Sequence, residues 1–170
     1  MIGAGRLRPQ KDFATLIRAF ARVRASRRVR LLILGEGPLR GALERLAGEQ
    51  GVAADVSFTG RVPDAPAWMA RAAVFALSSA WEGFGRVLVE ALAVGCPVVS
   101  TDCPSGPREI LGGGAFGPLV PVGDDAALAA AIARVLDHPP DRDFLMQRAD
   151  AFSLERGVDR YLDVLLGAPG

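Results

Sequence analysis

Apolar positions along this chain fall into two alternating patterns, short uninterrupted runs and longer stretches in which they recur every third or fourth residue. The runs at residues 1–4, 29–34, 56–59, 74–77, 97–100 and 118–122 predict strands, apolar enough to be buried on both faces. Asp12 is placed to N-cap a helix to about Ala25, with Phe13, Leu16, Ile17, Phe20 and Val23 on one face. Further helices are expected from the turn at 35–38 to about Gln50, over 65–72 and 86–94, and from Asp124 or Asp125 to Leu136. Pro139-Pro140 breaks the chain, and 141–166 is expected to be helical again. No internal repeat or low-complexity linker interrupts this alternation. The fold class expected is α/β, a parallel sheet of about six strands with helices on both faces.

Composition narrows the picture. A chain of 170 residues, half of them hydrophobic, is one globular domain that can bury a core without staples. A net charge of +1 gives no reason to expect nucleic acid as a partner. No apolar run approaches membrane-spanning length, and the N-terminus lacks the basic and apolar regions of a signal peptide. Cys96 and Cys103 are too few and too poorly spaced for a metal site, and read as reduced thiols of a cytoplasmic protein.

The most informative stretch is 77–110, LSSAWEGFGRVLVEALAVGCPVVSTDCPSGPREI, which reads as strand, loop, helix, strand. Its loop carries Glu82, and Gly83 and Gly85, which let the backbone come close to a ligand or simply make the turn. Its helix carries Glu90 among apolar neighbours, which predicts a buried carboxylate. Arg86, four residues earlier, offers an i,i+4 partner; ligand hydroxyls such as those of a ribose are the alternative. For Glu82 the plain expectation is a solvated loop side chain. Both glutamates belong at the carboxyl edge of the sheet, where open α/β sheets bind ligands.

Arg6 and Lys11 flank the turn before the first helix, where cations oppose the helix dipole by roughly 0.3–1 kcal/mol each. Either both are solvated, or an anion such as a diphosphate lies between them and the helix start. Two other patterns are weaker. Gly35-Glu36-Gly37 imitates a dinucleotide fingerprint, but its third glycine falls one place late, at Gly41, and Thr59 rather than an acid ends the next strand. Asp141-Arg142-Asp143 has the form of a metal–diphosphate clamp but sits where acidic residues favour a helix N-terminus. His138 is the only histidine, so a histidine metal site or a Ser-His-Asp relay has little to stand on.

Taken together, Gly5-Arg6-Leu7 with Lys11, Phe58-Thr59-Gly60-Arg61-Val62, and Glu82 with Glu90 inside EGFGRVLVEALAVGCPVVSTDCPSGPREIL resemble one family. The chain is similar, essentially throughout, to the donor-binding half of group 1 (family 4) retaining glycosyltransferases, the C-terminal Rossmann-like half of a GT-B fold. The resemblance implies that Arg6 and Lys11 hold the donor diphosphate, Glu90 the ribose hydroxyls and Glu82 the donor sugar. Gly5 belongs to the same turn. Backbone amides around Gly83, Phe84 and Gly85 would meet sugar or phosphate, and Arg61-Val62 the base. In the family no protein nucleophile is established, and the leaving diphosphate is thought to help deprotonate the acceptor on the same face.

The same resemblance favours a UDP-sugar over a GDP-sugar, on the run at 103–109, and implies no cofactor and no metal. It further implies that residues 1–170 are one nucleotide-sugar-binding domain whose N-terminal acceptor domain is absent, so that the isolated chain is expected to bind donor without transferring sugar. The expected partners are the nucleotide-sugar and that missing domain. The Tyr161, Leu162, Val164, Leu165, Leu166 face, lacking its usual partner, would then either dock locally or pair with a second copy. Glycan assembly at the cytosolic membrane face, by peripheral association, is a family expectation. The alternatives are a non-catalytic nucleotide-binding or assembly module and a GT-B-like sugar-nucleotide epimerase.

Overall fold

A computed structural model describes residues 1–154, 156–158 and 162. Its strands are β1 (Ile2–Ala4), β2 (Leu31–Leu34), β3 (Val56–Gly60), β4 (Phe75–Leu77), β5 (Val98–Thr101) and β6 (Leu119–Val120). They form one six-stranded sheet in the order β3-β2-β1-β4-β5-β6, parallel throughout. All the expected strands form, with ends moved by a residue or two. β1, β4 and β5 are buried along their whole length, as uninterrupted apolar runs require when helices cover both faces.

The helices are α1 (Phe13–Arg24), α2 (Arg40–Glu49), α3 (Ala65–Met69), α4 (Arg86–Ala93), α5 (Pro107–Ile110), α6 (Asp125–Asp137) and α7 (Arg142–Asp150). Leu16, Phe20, Leu43, Leu128 and Ile132 bring α1, α2 and α6 onto one face of the sheet. Met69, Leu88, Leu92, Ile110 and Leu145 bring α3, α4, α5 and α7 onto the other. Each such side chain contributes roughly 1.5–3 kcal/mol by leaving water. Asp12, Asp64, Asp124 and Asp141 cap α1, α3, α6 and α7 by accepting from the amides of Thr15, Ala67, Ala127 and Phe144. Capping therefore accounts for the Asp141-Arg142-Asp143 pattern, each cap contributing about 1 kcal/mol.

Two expectations are corrected. The helix expected over 141–166 is broken, because α7 ends at Asp150. Tight turn bonds then run from the amides of Ala151, Phe152 and Ser153 to the carbonyls of Arg148, Ala149 and Asp150 (3.2, 2.9 and 3.2 Å). The turn brings Phe152 edge-on to Phe84, with ring centroids 5.8 Å apart, and against the Arg148 guanidinium. The second is the segment after β5, which is not among the expected helices but forms α5; Pro107 starts it with a preset φ. Of the C-terminal face, Leu162 is exposed, and Tyr161, Val164, Leu165 and Leu166 lie outside the described residues. No helix of the described residues is long and apolar enough to cross a membrane.

Candidate functional site

Strand order reverses between β1 and β4, so the crevice of the sheet opens beyond their carboxyl ends. One wall of that crevice is built from main chain. The Gly5 amide donates to Leu34 O, Leu7 to Glu36 O, Leu39 to Leu7 O and Gly35 to Gly60 O, at 2.8–3.2 Å. These bonds lay the loop after β2 directly on the loop after β1. A Cβ on Gly35, at φ +137°, would fall 1.9 Å from the Gly5 carbonyl oxygen, and one on Gly37 2.5 Å from that of Leu7. Close packing of two loops thus explains the glycines that imitate a dinucleotide fingerprint.

The crevice has two lobes. The larger, about 750 Å³, is lined by Gly5, Arg6 and Lys11, by Glu36 and the Arg61-Val62 segment, and by Val87 and Glu90. The smaller, about 510 Å³, is lined by Lys11, Glu82, Phe84, Gly85, Arg86, Val87 and Glu90. Lys11, Val87 and Glu90 belong to both and mark the neck. Arg6 is exposed at the rim of the larger lobe, which it helps to line.

Lys11 is held at the neck from both sides. Its carbonyl accepts from Ser78 Oγ (2.8 Å), and the neighbouring Gln10 accepts from the Ala80 amide (2.8 Å) and donates to Trp81 O (3.1 Å). Its ammonium donates to Glu82 Oε1 at 2.5 Å. Ser79, fully buried, donates to the same carboxylate oxygen at 2.6 Å.

The two glutamates exchange the environments expected of them. Glu82 is not a solvated loop residue; its side chain is 6% exposed and ion-paired. Glu90 is not buried but half-buried, and among the described residues its carboxylate makes no ion pair or hydrogen bond, with Arg86 or any other group. The cause is that α4 turns Leu88, Ala91 and Leu92 inward, while Glu90 lines both lobes at the neck.

Gly85 begins α4 at φ +87°, where a side chain is strained, and lies in the smaller lobe. Gly106, at φ +88°, packs so closely that a Cβ would fall 1.7 Å from the Phe84 carbonyl oxygen; only glycine lets the two loops touch. Gly83 is exposed, with open space where its side chain would stand, and lines neither lobe. Burial pushes the Cys103 thiol up, and the nearby Glu82 carboxylate adds to the rise. Sequence reasoning missed Arg8, Glu36 and Ser79. Glu36 lies in the loop set aside as an imperfect fingerprint, and its carboxylate accepts from the Arg61 amide at 3.4 Å.

Fold and crevice define a doubly wound α/β domain with its ligand site at the switch point. The sequence model described as glycosyl transferases group 1 matches residues 1–138, and the chain belongs to that family. It is 38% identical over 137 residues, 81% of this chain and 37% of the relative, to the N-acetylgalactosamine-N,N'-diacetylbacillosaminyl-diphospho-undecaprenol 4-alpha-N-acetylgalactosaminyltransferase of Campylobacter jejuni. With the lipopolysaccharide core biosynthesis glycosyltransferase LpsE of Rhizobium meliloti it shares 36% identity over 174 residues, 99% of this chain and 50% of that one. Anabaena HepE, solved in complex with UDP, superposes with a TM-score of 0.83 at 26% identity, over 99% of this chain and 48% of HepE. The structural neighbours are GT-B glycosyltransferases. The chain spans between 37% and 50% of the length of these curated relatives.

Proposed function

We propose that this chain is the donor-binding domain of a retaining glycosyltransferase, taking a nucleotide-diphospho-sugar, with UDP favoured, for transfer to an acceptor held by a separate N-terminal domain. The observation that carries the reading is the two-lobed crevice whose neck holds Lys11. The larger lobe suits a nucleoside: the Arg61-Val62 segment meets the base, and Glu90, which has no partner among the described residues, accepts from ribose hydroxyls. The diphosphate lies at the neck against Lys11 and the turn at Gly5, with Arg6 closing over it. The donor sugar enters the smaller lobe, where Glu82 accepts from its hydroxyls and the Phe84 and Gly85 amides lie at the start of α4.

The chemistry such a site supplies is electrostatic. Sugar transfer leaves a nucleoside diphosphate carrying the developing negative charge. Lys11, Arg6 and the N-terminus of α4 stabilise that charge where it appears. The reading needs no cofactor and no metal. HepE, captured with UDP, supports uridine as the base. The Campylobacter jejuni relative, whose named acceptor is a diphospho-undecaprenol, supports work by the whole protein at a membrane face. Residues 1–170 act as one domain, which binds donor alone and transfers sugar only with its acceptor domain.

Calorimetric titration with UDP, GDP and NAD tests this reading. Saturable UDP binding, weakened about tenfold or more in Lys11→Ala and Glu90→Ala, is expected, since each substitution removes charge-assisted bonds. Tighter GDP binding would keep the site and change the base. Binding of NAD in preference to both would overturn the assignment.

A further inference from the structure

We infer that Glu82 and Lys11 form a switchable ion pair that makes the site hold a nucleotide-sugar more tightly than the nucleoside diphosphate left after transfer, with Ser79 as the positioning residue. The inference rests on the proposed placement of the diphosphate at Lys11 and the sugar in the smaller lobe. Both hydrogen bonds to Glu82 fall on one oxygen: Oε1 accepts from Lys11 Nζ at 2.5 Å and from Ser79 Oγ at 2.6 Å. Oε2 accepts none among the described residues. No side-chain nitrogen or oxygen there is both buried and unpartnered, so Oε2 is not sealed from solvent, and Glu82 lines the smaller lobe.

Ser79 cannot wander. It is fully buried, and its carbonyl accepts from Thr101 Oγ1 at 2.7 Å, which ties it to β5. It therefore fixes which carboxylate oxygen faces the protein and which faces the ligand. Lys11 has three donors and gives one to Glu82, leaving the others for a diphosphate.

A bare nucleoside diphosphate meets an ammonium already shared with a carboxylate, and that carboxylate repels it. A nucleotide-sugar brings hydroxyls that donate to Oε2, drain the carboxylate's charge and loosen its hold on Lys11. Once the sugar has left, the hydroxyls are gone and Glu82 reclaims Lys11. The ion pair thus works against product retention. The coupling is reciprocal by linkage, so it can be read from binding alone.

The test is calorimetric affinity of the chain for UDP and for UDP-N-acetylglucosamine, or for GDP and GDP-mannose should guanine be the base. Glu82→Gln keeps the acceptor for Ser79 and removes the charge. It is expected to bind UDP about fivefold tighter, at the low end of linked-site couplings, and to lose the wild-type preference for the sugar nucleotide. Ser79→Ala keeps the charge and releases the carboxylate; its UDP affinity should match wild type while the preference for the sugar nucleotide falls about threefold, a change a merely structural role would not produce. Unchanged or weaker UDP binding by Glu82→Gln, or an undiminished preference in Ser79→Ala, overturns the inference while UDP binding that depends on Lys11 leaves the donor-site reading standing. Absence of nucleotide binding by the wild-type chain removes both.

Discussion

The two lobes of the crevice share a neck but are held in shape by different forces. The larger lobe is main chain laid on main chain, with the loops after β1, β2 and β3 tied by backbone bonds and closed by Gly35 and Gly37. The smaller lobe is fixed by side chains, with Glu82 accepting from Lys11 and Ser79 and Thr101 bracing Ser79. A wall of backbone tolerates most substitutions and fails abruptly at its glycines. A wall of paired side chains can be retuned by single charge changes, and its affinity follows the charge state of the ligand.

The largest effects should separate the lobes. Gly35→Ala forces a Cβ into the Gly5 carbonyl oxygen at a positive φ, and should cost about 3 kcal/mol or more in urea denaturation together with UDP binding. Gly106→Ala meets the Phe84 carbonyl just as hard. It should spare UDP binding and lower only the extra affinity brought by the sugar. Equal losses of UDP binding in the two variants would break the comparison.

Next come the charged groups. Lys11→Met leaves the nearly buried Glu82 without its counter-ion and should lower stability by about 1–3 kcal/mol at pH 7. Glu90→Gln, at a half-buried position with no ion pair among the described residues, should stay within about 0.5 kcal/mol of wild type. Matching costs would refute the contrast drawn between the two lobes.

The thiols give a finer test. Glu82 helps raise the Cys103 thiol, whereas Cys96 is pushed up to about 11 chiefly by its own burial. In Glu82→Gln the Cys103 alkylation profile should therefore move to lower pH and that of Cys96 should not. The smallest effect is expected outside both lobes. Glu44→Ala breaks an exposed i,i+4 pair with Arg40 and should change stability in urea by no more than about 0.5 kcal/mol.

The fold was legible because the apolar runs and the capping aspartates act locally. Uninterrupted runs mark strands covered on both faces, and Asp12, Asp124 and Asp141 cap where their spacing places them. The end of α7 was not legible, since Phe152 turns inward to meet Phe84, a residue far away in sequence. The composition of the cleft could be read, but not its wiring. Arg6, Lys11, Glu82, Glu90 and the Arg61-Val62 segment do meet at one crevice. Which glutamate is buried depends on what packs against it, and no helix wheel shows that Glu90 lines the neck half-buried while Lys11 and Ser79 bond to Glu82. Gly35 and Gly37 looked like an imperfect nucleotide fingerprint because their true constraint, the carbonyls of Gly5 and Leu7, lies about thirty residues upstream.

The claim at the centre is that a nucleotide diphosphate docks at the neck on Lys11. Lys11 is the only lysine in the chain, so 15N-lysine labelling gives a single side-chain ammonium signal. Titration with UDP, or with GDP should guanine be the base, is predicted to shift that signal saturably, with the midpoint that calorimetry gives. A signal that stays in place while the nucleotide binds would put the diphosphate elsewhere and contradict the account.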